Sequence, residues 1–142
     1  MKRFSLLDFI VFLFIVLFVY AATSKLITFD LFKIQIQTAP LLMRFSQIIA
    51  YAIPVMEIII SVMLIVPRLT LYGFYASFFL MFLFAAYIVF ILTVSPNVPC
   101  SCGGVLENLG WTEHLVFNMF FVLLAVLGIV LHNRNRKSFS IR

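Results

Sequence analysis

Ser46–Val66 reads SQIIAYAIPVMEIIISVMLIV. Ser46, Ala50, Pro54, Glu57 and Ser61 recur every three or four positions, so a helix puts them on one face. The remaining surface is mostly Ile, Val, Leu and Met. At about 1.5 Å per residue the stretch spans roughly the 30 Å of a bilayer's hydrocarbon core. In lipid, a small-and-polar face turns toward other helices. The stretch therefore predicts a transmembrane helix that looks into a bundle. Pro54 cannot donate to the carbonyl of Ala50, which predicts a kink there.

The rest of the chain fits that reading. Of 142 residues, 65% are hydrophobic and 11% charged. So few charges cannot cover a soluble domain, and eighteen phenylalanines suit lipid better than water. The length allows about four spans of roughly 20 residues and leaves no room for a separate soluble domain. The expected fold is all-α: an integral membrane, four-helix transmembrane bundle forming a single domain over residues 1–142. Its spans are expected near residues 6–23, 46–66, 70–94 and 112–131. The ten Lys and Arg against five Asp and Glu do not indicate nucleic acid, because they sit at the ends of apolar runs, as membrane topology requires.

Outward from the second span, Leu6–Thr23 is a first apolar run interrupted by Asp8. The competing reading is a cleaved signal peptide with Val19-Tyr20-Ala21 as its cleavage site, but the apolar run exceeds the 7–15 residues usual for one. Ser24–Phe45 is a loop too apolar to be a free linker. Its Leu31, Phe32, Ile34 and Ile36 alternate with Lys33, Gln35 and Gln37. We read a short amphipathic segment lying on the bundle or the headgroups, ended by a turn at Pro40. In the third span Gly73 and Ser77 share a face suited to close helix approach, and Phe78, Phe79, Phe82 and Phe84 fall outward or in the core. In the fourth, His114, Asn118, Phe121, Ala125 and Gly128 form the inward face. His132–Arg142 is a basic tail.

Four spans put both termini on one side. Lys2, Arg3, Arg68 and the tail hold seven basic residues; the other side holds Lys25, Lys33 and Arg44. Positive-inside bias places both termini in the cytoplasm. The loop between the third and fourth spans then lies outside, in the oxidising periplasm if the membrane is a bacterial inner membrane.

That loop holds the chemistry. It contains Pro99-Cys100-Ser101-Cys102-Gly103-Gly104, with both cysteines of the chain. A disulfide between them needs a tight bend, which Pro99 and the two glycines supply. Strained, exposed disulfides are the easily reduced, catalytic kind. The functional reading is a redox-active pair. A structural staple, two free thiols and a metal site are the alternatives. Structural zinc wants four ligands, and His114 is the one further candidate nearby, so no metal is expected. Thr112 is a plausible N-cap of the last span, and Glu113 suits the positive end of its dipole. His114 can move protons or stabilise a thiolate, or can be a plain interfacial cap beside Trp111. Glu107 is either the loop's acid or a solvated carboxylate.

Glu57 falls near mid-membrane, where a carboxyl group is costly and by default functional or paired. Lys25, near the outer end of the first span, and Asn118, two turns into the fourth, are its candidate partners. The group acts either as a proton relay or contact to a bound quinone, or as a structural polar lock. The Phe-rich stripes read as core and lipid surface.

The run Val98-Pro99-Cys100-Ser101-Cys102-Gly103-Gly104-Val105-Leu106-Glu107, with Leu109-Gly110-Trp111-Thr112 and His114 through Asn118, resembles the MauE family of methylamine utilisation membrane proteins, grouped with DoxX-like four-helix membrane proteins. Ser24-Lys25-Leu26 and Glu57 look like that group as well. The resemblance implies a role in maturing methylamine dehydrogenase, whose small subunit is rich in disulfides, beside a periplasmic thioredoxin-like partner. In arrangement it is similar to the DsbB and vitamin-K-epoxide-reductase proteins, which pass electrons from periplasmic thiols to quinone. Those use two cysteine pairs and this chain has one, so a relay within the polypeptide is excluded. The expectation is a membrane protein supporting thiol–disulfide exchange, with Cys100, Cys102, His114 and Glu107 as the reacting and tuning groups and Lys25, Glu57 and Asn118 as an intramembrane polar centre. The alternative is a non-enzymatic assembly factor, or an anchor subunit of a quinone-linked oxidoreductase.

Overall fold

The computed structural model describes residues 5–38, 41–94 and 110–140. It contains α1 (Leu6–Ile27), α2 (Phe29–Thr38), a 3-10 turn (Met43–Phe45), α3 (Ser46–Ile65), α4 (Thr70–Val94) and α5 (Trp111–Ser140). Four of these helices, all but α2, are long and apolar enough to cross a membrane. The chain is a four-helix transmembrane bundle. Going round it, α1 packs on α3, α3 on α4, α4 on α5 and α5 back on α1. Phe12, Ile48, Phe79 and Leu123 are each more than half exposed, as lipid-facing side chains should be.

The start of α1 follows from its first residues. The Ser5 hydroxyl accepts from the Asp8 backbone N–H, and the Asp8 carboxylate accepts from the Ser5 N–H. This capping box explains a charge just inside an apolar run. The far end differs from expectation. The first span does not stop at Thr23: the helix runs to Ile27, and Thr28 closes it with its N–H donating to Ser24. Polar Ser24 and Lys25 look like a loop in the sequence, but Lys25 is buried in the bundle. Ile10, Phe14 and Phe18 of α1 belong to the main core.

The amphipathic segment is helical, so two of its four apolar residues face inward. Phe32 and Ile36, one turn apart, are buried against Ala50 of α3, whereas Leu31 and Ile34 are exposed. Pro40 lies outside the described residues; Leu41 directly after it has a φ of 69°, the left-handed region that turns a chain sharply.

In α3 all five residues of the expected face, Ser46, Ala50, Pro54, Glu57 and Ser61, are buried. The Ser61 hydroxyl donates to the Glu57 carbonyl at 2.9 Å, which satisfies it without a partner helix. Gly73 and Ser77 of α4 are buried, and a Cβ on Gly73 would lie 2.9 Å from the Leu64 side chain. A larger residue there would force Leu64 of α3 to shift.

The fourth span starts and ends differently from expectation. Gly110, not Thr112, stands at the cap: its carbonyl accepts from His114 N–H at 3.0 Å, and its N–H donates to Glu113 at 3.2 Å. Glu113 thus makes the return half of a capping box, and Thr112 sits exposed in the first turn. The helix also does not end at Leu131 but continues to Ser140. At 1.5 Å per residue it is about 45 Å long and outruns the hydrocarbon, so the basic residues Arg134, Arg136 and Lys137 ride on helix rather than on a loose tail.

Candidate functional site

The C-terminal half of α1, the N-terminal half of α3, the C-terminal half of α4 and the first turns of α5 meet at one end of the bundle, with α2 against them. They line a partly open cavity of about 340 Å³. Its apolar wall includes Phe18, Phe32, Phe84, Tyr87 and Phe117; its polar side chains include Lys25, Glu57, His114 and Asn118.

Lys25 reaches Glu57 completely. Its Nζ lies 2.8 Å from Glu57 Oε1, and both residues are buried, at 4% and 1% exposure. The ammonium also stands 5.9 Å from the centre of the Phe32 ring, within cation–π range. The pairing is possible because α1 continues one turn past its expected end while Glu57 lies midway along α3. Either charge alone would be very costly at this depth; together they form a locally neutral pair. Glu57 Oε2, however, has no hydrogen-bond partner among the described residues.

Asn118, the other candidate partner, is 1% exposed and lines the same cavity, and its Nδ2 likewise has no partner among the described residues. His114, one turn earlier on α5, is 2% exposed and lies 6.5 Å, ring centre to ring centre, from Phe117. The structure thus brings His114 to Lys25, Glu57 and Asn118, in one cavity. A plain interfacial cap would be exposed; this histidine is inside the bundle. Cys100, Cys102 and Glu107 lie outside the described residues. Among the described residues no cluster of His, Cys, Asp and Glu could hold a metal ion.

Nothing in the sequence singles out the aromatic cavity wall: the Phe-rich stripes read as core and lipid surface, and Phe32 reads as part of an amphipathic segment on the bundle or the headgroups. Phe32 and Ile36 are both buried, and their four-residue helical spacing is hidden in the sequence by an alternating apolar–polar pattern.

Apolar walls with a few convergent polar groups are the usual form of a small-molecule site. Fold and site together define a four-helix integral membrane protein with a buried ion pair opening on an apolar cavity. A family model described as methylamine utilisation protein MauE matches residues 3–131. The chain belongs to the MauE family. Neither the curated proteins nor the solved structures include a match to it.

Proposed function

We propose that the chain supports thiol–disulfide exchange, and with it disulfide formation, in periplasmic proteins. The observation that supports this is the position of the buried polar cluster. It lies at the end of the bundle where α4 stops and α5 starts, the two ends that the cysteine-bearing segment joins. Cys100 is six residues beyond Val94, a reach of at most about 20 Å of extended chain, and His114 begins the second turn of α5.

In this reading the two cysteines cycle between disulfide and dithiol. A thiolate of a partner protein attacks one sulfur, and the other sulfur leaves and takes a proton. The partner's second thiolate then attacks the mixed disulfide, and the partner departs oxidised. Two electrons and two protons have passed to Cys100 and Cys102. A lipid quinone, or the disulfide of a thioredoxin-like protein, takes them in turn. His114 and Glu107 tune the thiolate, and Lys25, Glu57 and Asn118 form the polar centre beneath. Seven of the ten basic residues cluster at the end holding the termini, which supports cytoplasmic termini and a periplasmic cysteine loop in a bacterial inner membrane.

The test is the reduction potential of the pair in intact membranes, read by alkylation with an impermeant reagent across graded redox buffers. The expected midpoint lies between about −270 and −120 mV, the range of exchange catalysts. A pair still oxidised below about −300 mV is a structural staple, and the protein would then be an assembly factor. Loss of thiol oxidation in the Cys100→Ser/Cys102→Ser double variant is the matching functional result.

A further inference from the structure

We infer that the cavity beside the Lys25–Glu57 pair binds a neutral, hydroxyl-bearing apolar molecule drawn from the bilayer, with the hydroxyl held between Glu57 and Asn118. Three observations carry this. First, two buried polar atoms on the cavity's lining residues, the acceptor Glu57 Oε2 and the donor Asn118 Nδ2, have no partner among the described residues. Buried polar groups are nearly always satisfied, and those that are not call for an explanation. A hydroxyl donates and accepts at once, so it answers both. A carbonyl or carboxylate offers no donor to Glu57.

Second, the lysine and glutamate neutralise each other at 2.8 Å. An anion would meet the carboxylate and a cation the ammonium, so the site favours an uncharged head. Third, the cavity of about 340 Å³ is roughly twice the ~150 Å³ that accommodates benzene in a protein core. Its wall carries the rings of Phe18, Phe32, Phe84, Tyr87 and Phe117, which suit a ring in offset or edge-on contact. The reduced, quinol form of a lipid quinone has this chemistry, and so does an aliphatic lipid alcohol. The inference deepens the exchange reading by naming what the polar centre holds; it rests on that reading only for the origin of the quinol's electrons.

The experiment uses the full chain, delipidated in detergent, and follows thermal unfolding with decylubiquinol, decylubiquinone or 1-decanol added. Decylubiquinol should raise Tm saturably, as a ligand of the folded state does. Asn118→Leu should weaken its apparent affinity at least about tenfold, the worth of a hydrogen bond to a buried group. Ala21→Leu, which fills the cavity from α1, should abolish the shift without lowering the melting point of the free protein. Ser61→Ala, on the same face of α3 but outside the cavity lining, should keep it. Equal shifts with 1-decanol assign the aliphatic source and uphold the hydroxyl site. Tighter binding of decylubiquinone than of the quinol overturns the hydroxyl assignment. No saturable shift, or one indifferent to both Asn118→Leu and Ala21→Leu, overturns the site. The Cys100→Ser/Cys102→Ser protein should bind decylubiquinol normally. Binding and exchange therefore fail separately.

Discussion

The two halves of the bundle solve opposite problems. Toward the termini, α1, α3, α4 and α5 close on an aromatic core without charged groups, where the buried hydroxyls of Ser61, Thr70 and Ser77 donate to backbone carbonyls. Phe14 stacks against Phe18 and meets Phe74 and Phe121 edge-on, with ring centres 5.2 to 6.1 Å apart. Gly128 leaves so little room that a Cβ there would stand 2.5 Å from the Phe74 ring. Toward the other end the same four helices spread around a cavity and a buried ion pair. One half is stabilised by contact. The other gives up contact to hold charge and space, the usual sign of a site. In lipid this division is affordable because helix association depends on packing and polar contacts rather than on escape from water.

The largest expected effect comes from breaking the ion pair. Lys25→Met or Glu57→Leu alone should cost about 3–5 kcal/mol by stranding a buried charge, read as the shift in unfolding midpoint in detergent. The Lys25→Met/Glu57→Leu double variant should recover most of that loss, since apolar replacement of both partners is often neutral or stabilising. A double variant as unstable as the two singles summed would show that the charges do not act as a pair.

Next comes the packed half. Gly128→Leu should lose about 1–3 kcal/mol by overpacking against Phe74. The same kind of enlargement in the open half, Ala21→Leu, should cost nothing, and the contrast between these two melts measures the difference between the halves directly. The smallest expected effect is Ser61→Ala, about 0.5–1 kcal/mol or less, because its hydroxyl serves only its own helix.

Much of this was legible in the chain. The spacing of Ser46, Ala50, Pro54, Glu57 and Ser61 marks the buried face of α3, and that of His114, Asn118, Phe121, Ala125 and Gly128 marks the buried face of α5. Both follow from one rule: in lipid, small and polar residues turn inward. What misled was local polarity. Ser24 and Lys25 read as a helix end because a lone lysine belongs at the interface, yet its partner 32 residues away lets α1 continue. His132 onward read as a tail because charge leaves lipid, although nothing in those residues stops a helix from carrying its charge out into water.

Composition and periodicity alone determined that this is a four-span membrane protein, which helix faces look inward, and that Glu57 needs a partner. These are one-dimensional facts, because apolar length and a 3.6-residue period are read along a single helix. Only the tertiary structure decided that the partner is Lys25, that His114 and Asn118 share its cavity, and that α2 brings Phe32 to the wall. Those relations join residues on different helices, and they depend on how far each helix runs and how it is turned about its own axis, which no single segment encodes.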